Sequence, residues 1–119
     1  MAAGFEVQVL RDVVVVLETG TPEFEESSKA LAEAIKAARK HGRKILFDHR
    51  LVDLSNYYGF IVRHAEMAPA MGLDDTFRIA HLGAPHQDDV LGFMVEVGRN
   101  RGWMVRRFFE MEEALLWLA

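Results

Sequence analysis

The chain has 119 residues, 50% hydrophobic and 27% charged, enough for one domain with a single buried core. It contains no cysteine, which excludes a disulfide framework, a thiolate metal site and a cysteine nucleophile. A formal net charge of −4 disfavours nucleic-acid binding, which needs a clustered basic surface, and no run reaches the ~18 apolar residues required for membrane insertion.

Phe5, Val7 and Val9 alternate with Glu6 and Gln8, the period of a strand with one wet face. Arg11-Asp12 interrupts the alternation and VVVVL follows, apolar on both sides, which predicts an edge strand paired through a tight turn with a more central one. The opening MAAGFEVQV has neither the basic nor the apolar region of a signal peptide, so the expected location is cytoplasmic. Thr21 offers an N-cap and Pro22 a first helical position, with Glu23, Glu25 and Glu26 in the opening turns. Phe24, Leu31, Ile35 and Ala38 share one face of that helix, and Lys36, Arg39, Lys40 and His41 crowd its far end before Gly42. Acid first and base last suits the helix dipole.

RKILFD is the third strand. A second helix is expected from Asn56 to Met71, with Tyr58, Ile61, Val62, Ala65, Ala68 and Met71 near one face and Pro69 bending or ending its last turn. FRIAHLG is the fourth strand, and Asp88 or Asp89 caps a third helix that Gly102 stops. Within it, Gly92 and Gly98 mark close packing against the sheet. WMVRRF is the fifth strand, and Glu110, Glu112 and Glu113 open a last helix that turns Met111, Leu115 and Leu118 inward. The basic run RNRGWMVRR reads as a helix C-terminus followed by an amphipathic strand. The expected fold is therefore a single α/β domain over 1–119, with the order ββαβαβαβα and right-handed crossovers between parallel strands. The first strand is the antiparallel exception.

That order, together with ILFDHRLVDLS, FRIAHLG, RGWMVRRF and the closing EEALLWL, resembles the STAS-like superfamily and its SpoIIAA-like branch. The likeness runs from about Phe5 to Leu118 and rests on the order and spacing of the motifs. It implies a mixed five-stranded sheet, first strand antiparallel and the rest parallel, with four helices around it. It also implies action through protein binding, which in antagonists of anti-sigma factors is switched by phosphorylation of a serine following the third strand. The matching segment here is NYYGF, where Asn56, Tyr57 and Tyr58 replace the acid and the serines and Gly59 is kept. Ser55 lies nearby but out of register, so the switch does not carry over.

In open α/β sheets ligands sit beyond the C-terminal ends of parallel strands. That rim is expected to gather Asp48, His49, Ser55, Asn56, Tyr57, Tyr58 and His86 into a site for a small amphipathic or anionic ligand. The plainer reading makes Asp48 a loop acceptor, Ser55 an N-cap and the tyrosines a cover for the core. A metal or acid/base site built on His49, His86 and Asp88 is the alternative, although the five histidines form no HxxxH or HExxH pairing. His64 is expected on a solvated helix face, and His81 as a hydrogen-bonded core histidine. Trp103 with Tyr57 and Phe60 on one surface would form an apolar patch for a homodimer or a regulatory protein partner. No GxSxG elbow, P-loop or GxGxxG is present, so no catalytic residue, cofactor or resident metal is assigned. The sequence reads as a non-catalytic binding or regulatory module.

Overall fold

The computed structural model describes residues 3–119, so Met1 and Ala2 of the expected domain lie outside the described residues. Strands β1 (Gly4–Leu10), β2 (Val13–Gly20), β3 (Lys44–Val52), β4 (Arg78–Leu82) and β5 (Met104–Phe108) form one sheet in sequential order. β1 pairs antiparallel with β2, and the β2–β3, β3–β4 and β4–β5 pairings are parallel. Helices α1 (Phe24–Lys40), α2 (Tyr58–Met71), α3 (Asp88–Asn100) and α4 (Met111–Leu118) complete the predicted order, with a short 3-10 turn at Pro85–Gln87 that was not expected. No helix among the described residues is long and apolar enough to cross a membrane.

The β1–β2 turn lacks glycine, and Arg11 supplies the positive φ of 60° instead. Asp12 then accepts a 2.8 Å bond from Lys44, tying the turn to the start of β3. Helix α1 begins two residues later than its sequence suggests: Glu23 is extended and occupies the N-cap position, and Thr21 lies outside. The amide of Ser27 bonds the Glu23 carbonyl, so the first helical turn is closed by backbone rather than by a capping side chain. Gly42 ends this region at φ 99°, where an added Cβ would also press on the Asp12 carbonyl.

Strand parity divides the core. Val14, Val16, Ile45, Phe47, Ile79 and Val105 pack against α1, α2 and α3 on one face. Val13, Leu46, Ala80, Leu82 and Phe108 pack against Ala114 and Leu118 of α4 on the other. Residues alternate faces along a strand, so each of these sets follows directly from the apolar period. A third cluster, with Val52, Leu54, Tyr57, Ile61, Val90, Leu91 and Met94, joins α2 to α3 beyond the strand ends. Of the residues expected on the inner face of α2, Ile61, Ala65 and Ala68 are buried, whereas Tyr58 and Val62 are exposed. Pro69 sits in its last turn, and the helix stops two residues later.

Gly98 of α3 lies against β5: a Cβ there would stand 2.7 Å from Val105 Cγ2. Gly92 instead faces the Arg107 side chain, a flexible neighbour at the surface. Overpacking a sheet contact costs about 1–3 kcal/mol, so Gly98→Ala is expected to lower stability in urea unfolding by about that much. Gly59, whose added Cβ would meet nothing within 4 Å, is the control. Gly59→Ala is expected to gain about 0.4–1 kcal/mol through the unfolded chain, and equal effects at the two sites would contradict this packing.

Candidate functional site

Three ionisable side chains stand side by side on the helix-covered face of neighbouring strands. Val14, Val16 and Glu18 share one face of β2, Ile45, Phe47 and His49 that of β3, and Ile79 and His81 that of β4. Phe47 pairs with His81 across β3–β4, which sets His49 next to His81. His49 Nε2 and His81 Nδ1 are 2.9 Å apart and share one hydrogen bond. On the other side, His49 Nδ1 lies 3.9 Å from Glu18 Oε1, too far for a hydrogen bond. His49 Nδ1 is buried with no hydrogen-bond partner. The rings of Phe47, His49 and His81 lie nearly parallel, with centroids 5.2–6.0 Å apart.

Helices α1 and α2 bring polar groups to the same place. The Ser27 hydroxyl donates to the Phe24 carbonyl at 3.1 Å, and His64 Nε2 lies 3.1 Å from the same oxygen. Because the hydroxyl proton points at Phe24, His64 is assigned the tautomer that donates from Nε2. His64 also stacks on Phe24, at 5.0 Å between centroids. Tyr57 is 6% exposed, whereas Tyr58 points outward and touches Phe93.

Glu18, Ser27, His49, Tyr57, His64 and His81 line a cavity of about 100 Å³. Its remaining wall is apolar and includes Phe47, Ile61, Ala65, Met94, Trp103 and Val105. His81 lines this cavity and is only partly buried. Burial favours the uncharged form of every such group. It pushes the Glu18 carboxyl up to about 7 and the His49 imidazole down to about 4. Burial, reinforced by Arg63, takes His64 down to about 4, and burial with neighbouring His49 lowers His81 well below its usual value. The Tyr57 hydroxyl is pushed up by burial and then by Glu18. Near neutral pH the imidazoles are uncharged and the carboxyl is close to half protonated.

The rim expected from the sequence comes apart at β3, which continues to Val52 instead of ending at Asp48. β3 and β4 still deliver the chain to the same edge, because they are parallel and in register from Lys44↔Arg78 to Asp48↔Leu82. Asp48 lies on the opposite face from His49 and holds Arg50 through bonds of 3.0 and 2.8 Å. Ser55 is exposed and bonded to Asp53 at 2.6 Å, and Asn56 and His86 are exposed. Of the seven residues expected to cluster, only His49 and Tyr57 meet in the cavity.

The trio His49, His86 and Asp88 does not assemble either. His49 is inside, His86 outside, and Asp88 forms a surface ion pair with Arg107 at 3.2 Å. Among the described residues no group of three or more acidic or histidine side chains is arranged to hold a metal ion. Trp103 and Tyr57 meet within the cavity wall and not on the surface patch anticipated for them. Sequence reasoning overlooked Glu18, Ser27 and His64 as site residues. It also overlooked buried Gln87, which accepts from the Ala84 amide and donates to the His49 and Val52 carbonyls, fastening the end of β3 to the start of α3.

No family model matches the chain, and no curated protein matches it. Solved structures do. An anti-sigma factor antagonist from Mycobacterium paratuberculosis superposes with a TM-score of 0.65 at 14% identity, covering 98% of this chain and 94% of that one. An uncharacterised protein of the DUF3478 family from Shewanella loihica PV-4, with a SpoIIAA-like fold, gives 0.59 at 16% identity with the same coverages. The chain has the SpoIIAA-like fold.

The Glu18 carboxyl binds its proton more tightly in the folded chain than in the unfolded one, so its contribution to stability is present at low pH and lost as pH rises through about 7. The histidines act in the opposite sense, losing stability as pH falls from about 6.5 toward 4. Comparison with Glu18→Gln isolates the first effect. Between pH 5 and pH 8, urea unfolding is expected to show the native chain losing roughly 3 kcal/mol relative to that variant. A difference that does not change with pH would contradict the burial of an unpaired carboxyl.

Proposed function

We propose that the chain is a non-catalytic SpoIIAA-like module that binds a small ligand in the cavity between its sheet and helices α1, α2 and α3. The observation that carries this reading is the buried His49 Nδ1, left without a partner at the edge of a space that five other polar residues also reach. Buried polar groups are ordinarily satisfied, and leaving one bare costs about 1–3 kcal/mol. A core built only for packing would place aliphatic side chains at Glu18, His49 and His81.

A binding role fits the groups better than a catalytic one. Ser27 and His64 stand at the distance of a nucleophile and its base. The Ser27 proton, however, is directed to the Phe24 carbonyl, and no carboxylate hydrogen-bonds His64 among the described residues. Helix α2 and its N-cap Tyr57 line the cavity with Tyr57, Ile61, His64 and Ala65, and the helix presents Tyr58, Val62 and Met67 to solvent. Ligand occupancy would thus be felt on an exposed surface suited to a regulatory protein or a second copy of the chain. The fold shared with an anti-sigma factor antagonist supports that regulatory use.

The test is NMR titration of isotope-labelled protein with a panel of small alcohols, amides, amines and carboxylic acids. Saturable shifts at His49, Tyr57 and His64 are expected for at least one chemical class, and Ala65→Leu, which fills the void, is expected to abolish them while the fold is kept. Shifts confined to Ser55, Tyr58 and His86, or none from any class, would refute the reading.

A further inference from the structure

We propose that the cavity selects a compact primary ammonium, held between the Glu18 carboxylate and His49 Nδ1 with its apolar body against Phe47, Ile61 and Trp103. The inference rests on the ligand-binding reading above and adds the chemical class of the ligand.

The geometry argues first from what is missing. Glu18 is 6% exposed and receives no hydrogen bond; burial is the sole cause acting on its carboxyl. No lysine or arginine lines the cavity, so its only group capable of formal charge near neutral pH is negative. Glu18 Oε1 and His49 Nδ1 are 3.9 Å apart. A single nitrogen placed between them reaches both at about 2.8 Å, the usual length of a charge-assisted bond. An ammonium brings three donors to these two acceptors and the positive charge that the carboxylate lacks.

The proton arrangement of the neighbouring groups agrees. The His49–His81 bond contains one proton. If that proton sits on His49 Nε2, Nδ1 is a bare acceptor facing Glu18, and His81 keeps its own proton on Nε2. This tautomer has no donor to offer the carboxylate and is the one a bound ammonium stabilises. An anionic ligand would meet the Glu18 charge with no cation to offset it, which disfavours the anionic class expected from the sequence. Phe47, Tyr57 and Trp103 contribute aromatic surface, which favours a cation over a neutral guest. Size restricts the choice further. An apolar cavity of about 150 Å³ takes up benzene, so about 100 Å³ suits a body of only a few heavy atoms.

Isobutylammonium, isobutanol and isobutyrate have similar shapes and differ in charge. Calorimetric or NMR titration at pH 8 is expected to rank isobutylammonium tighter than isobutanol by tenfold or more, with isobutyrate weakest. Between pH 7 and pH 5 the affinity of isobutylammonium is expected to fall about fiftyfold, because one proton competes for Glu18. The other groups facing Glu18 are His49 from β3, His81 from β4, Ser27 from α1, Tyr57 at the N-cap of α2 and His64 from α2, and each is uncharged across that range. Glu18→Gln is expected to remove the advantage of the amine over isobutanol, together with its pH dependence. Equal or tighter binding of isobutanol or isobutyrate by the native chain would overturn the ammonium assignment and leave the ligand cavity standing. Failure of all three to bind would overturn the ammonium assignment, and the ligand cavity falls with it only if the wider panel also leaves His49, Tyr57 and His64 unshifted.

Discussion

Closing the sheet and helices over Glu18, His49 and His81 favours the uncharged form of each. Water would stabilise their charged forms, and the helices laid across them exclude it. The cost of removing an ion from water exceeds that of leaving it neutral, so the protons redistribute: the carboxyl holds one longer, and the imidazoles give theirs up sooner. The His49–His81 bond relieves part of the desolvation by pairing two ring nitrogens across neighbouring strands. It leaves Nδ1 of His49 without a hydrogen-bond partner, 3.9 Å from the carboxyl.

The surrounding fold accommodates that row by adding hydrogen bonds around it. Gln87 binds the His49 and Val52 carbonyls, holding the extended end of β3 under the start of α3. Ser27 and His64 couple α1 to α2, and the stacking of His64 on Phe24 reinforces the same contact. On the opposite face, Leu46, Ala80, Leu82, Ala114 and Leu118 form an apolar layer, and the buried carboxylate at its edge, Asp48, is paired with Arg50. The polar character of one face and the plain packing of the other show that the ionisable row is not a general property of this sheet.

Much of the fold is legible in the sequence because the apolar period changes clearly from strand to helix. The VVVVL and ILF runs, the charge gradient along α1 and the closing amphipathic helix each report local structure without knowledge of the rest. The site is less legible. Parity already places Glu18 in line with Val14 and Val16, and His49 in line with Ile45 and Phe47, but only if β2 is continued one residue and β3 two residues past their apolar runs. Ending β3 at Asp48 turns His49 into a rim residue, whereas the structure keeps it within the strand. His64 follows Ile61 by three residues and precedes Ala68 by four, spacing that marks the buried face of α2, yet its polarity suggested solvent. No local signal reveals that Glu18, His49 and His81 share a cavity; that depends on register between strands distant in the chain.

The account turns on Glu18 being a buried carboxyl with neither a cation nor a hydrogen-bond donor beside it. A ¹³C-carboxyl NMR titration of the ligand-free protein measures this directly. The predicted midpoint for Glu18 lies near 7. A midpoint at or below the ordinary glutamate value of about 4.3 would mean that the carboxyl is solvated or paired, contradicting the arrangement described for the cavity.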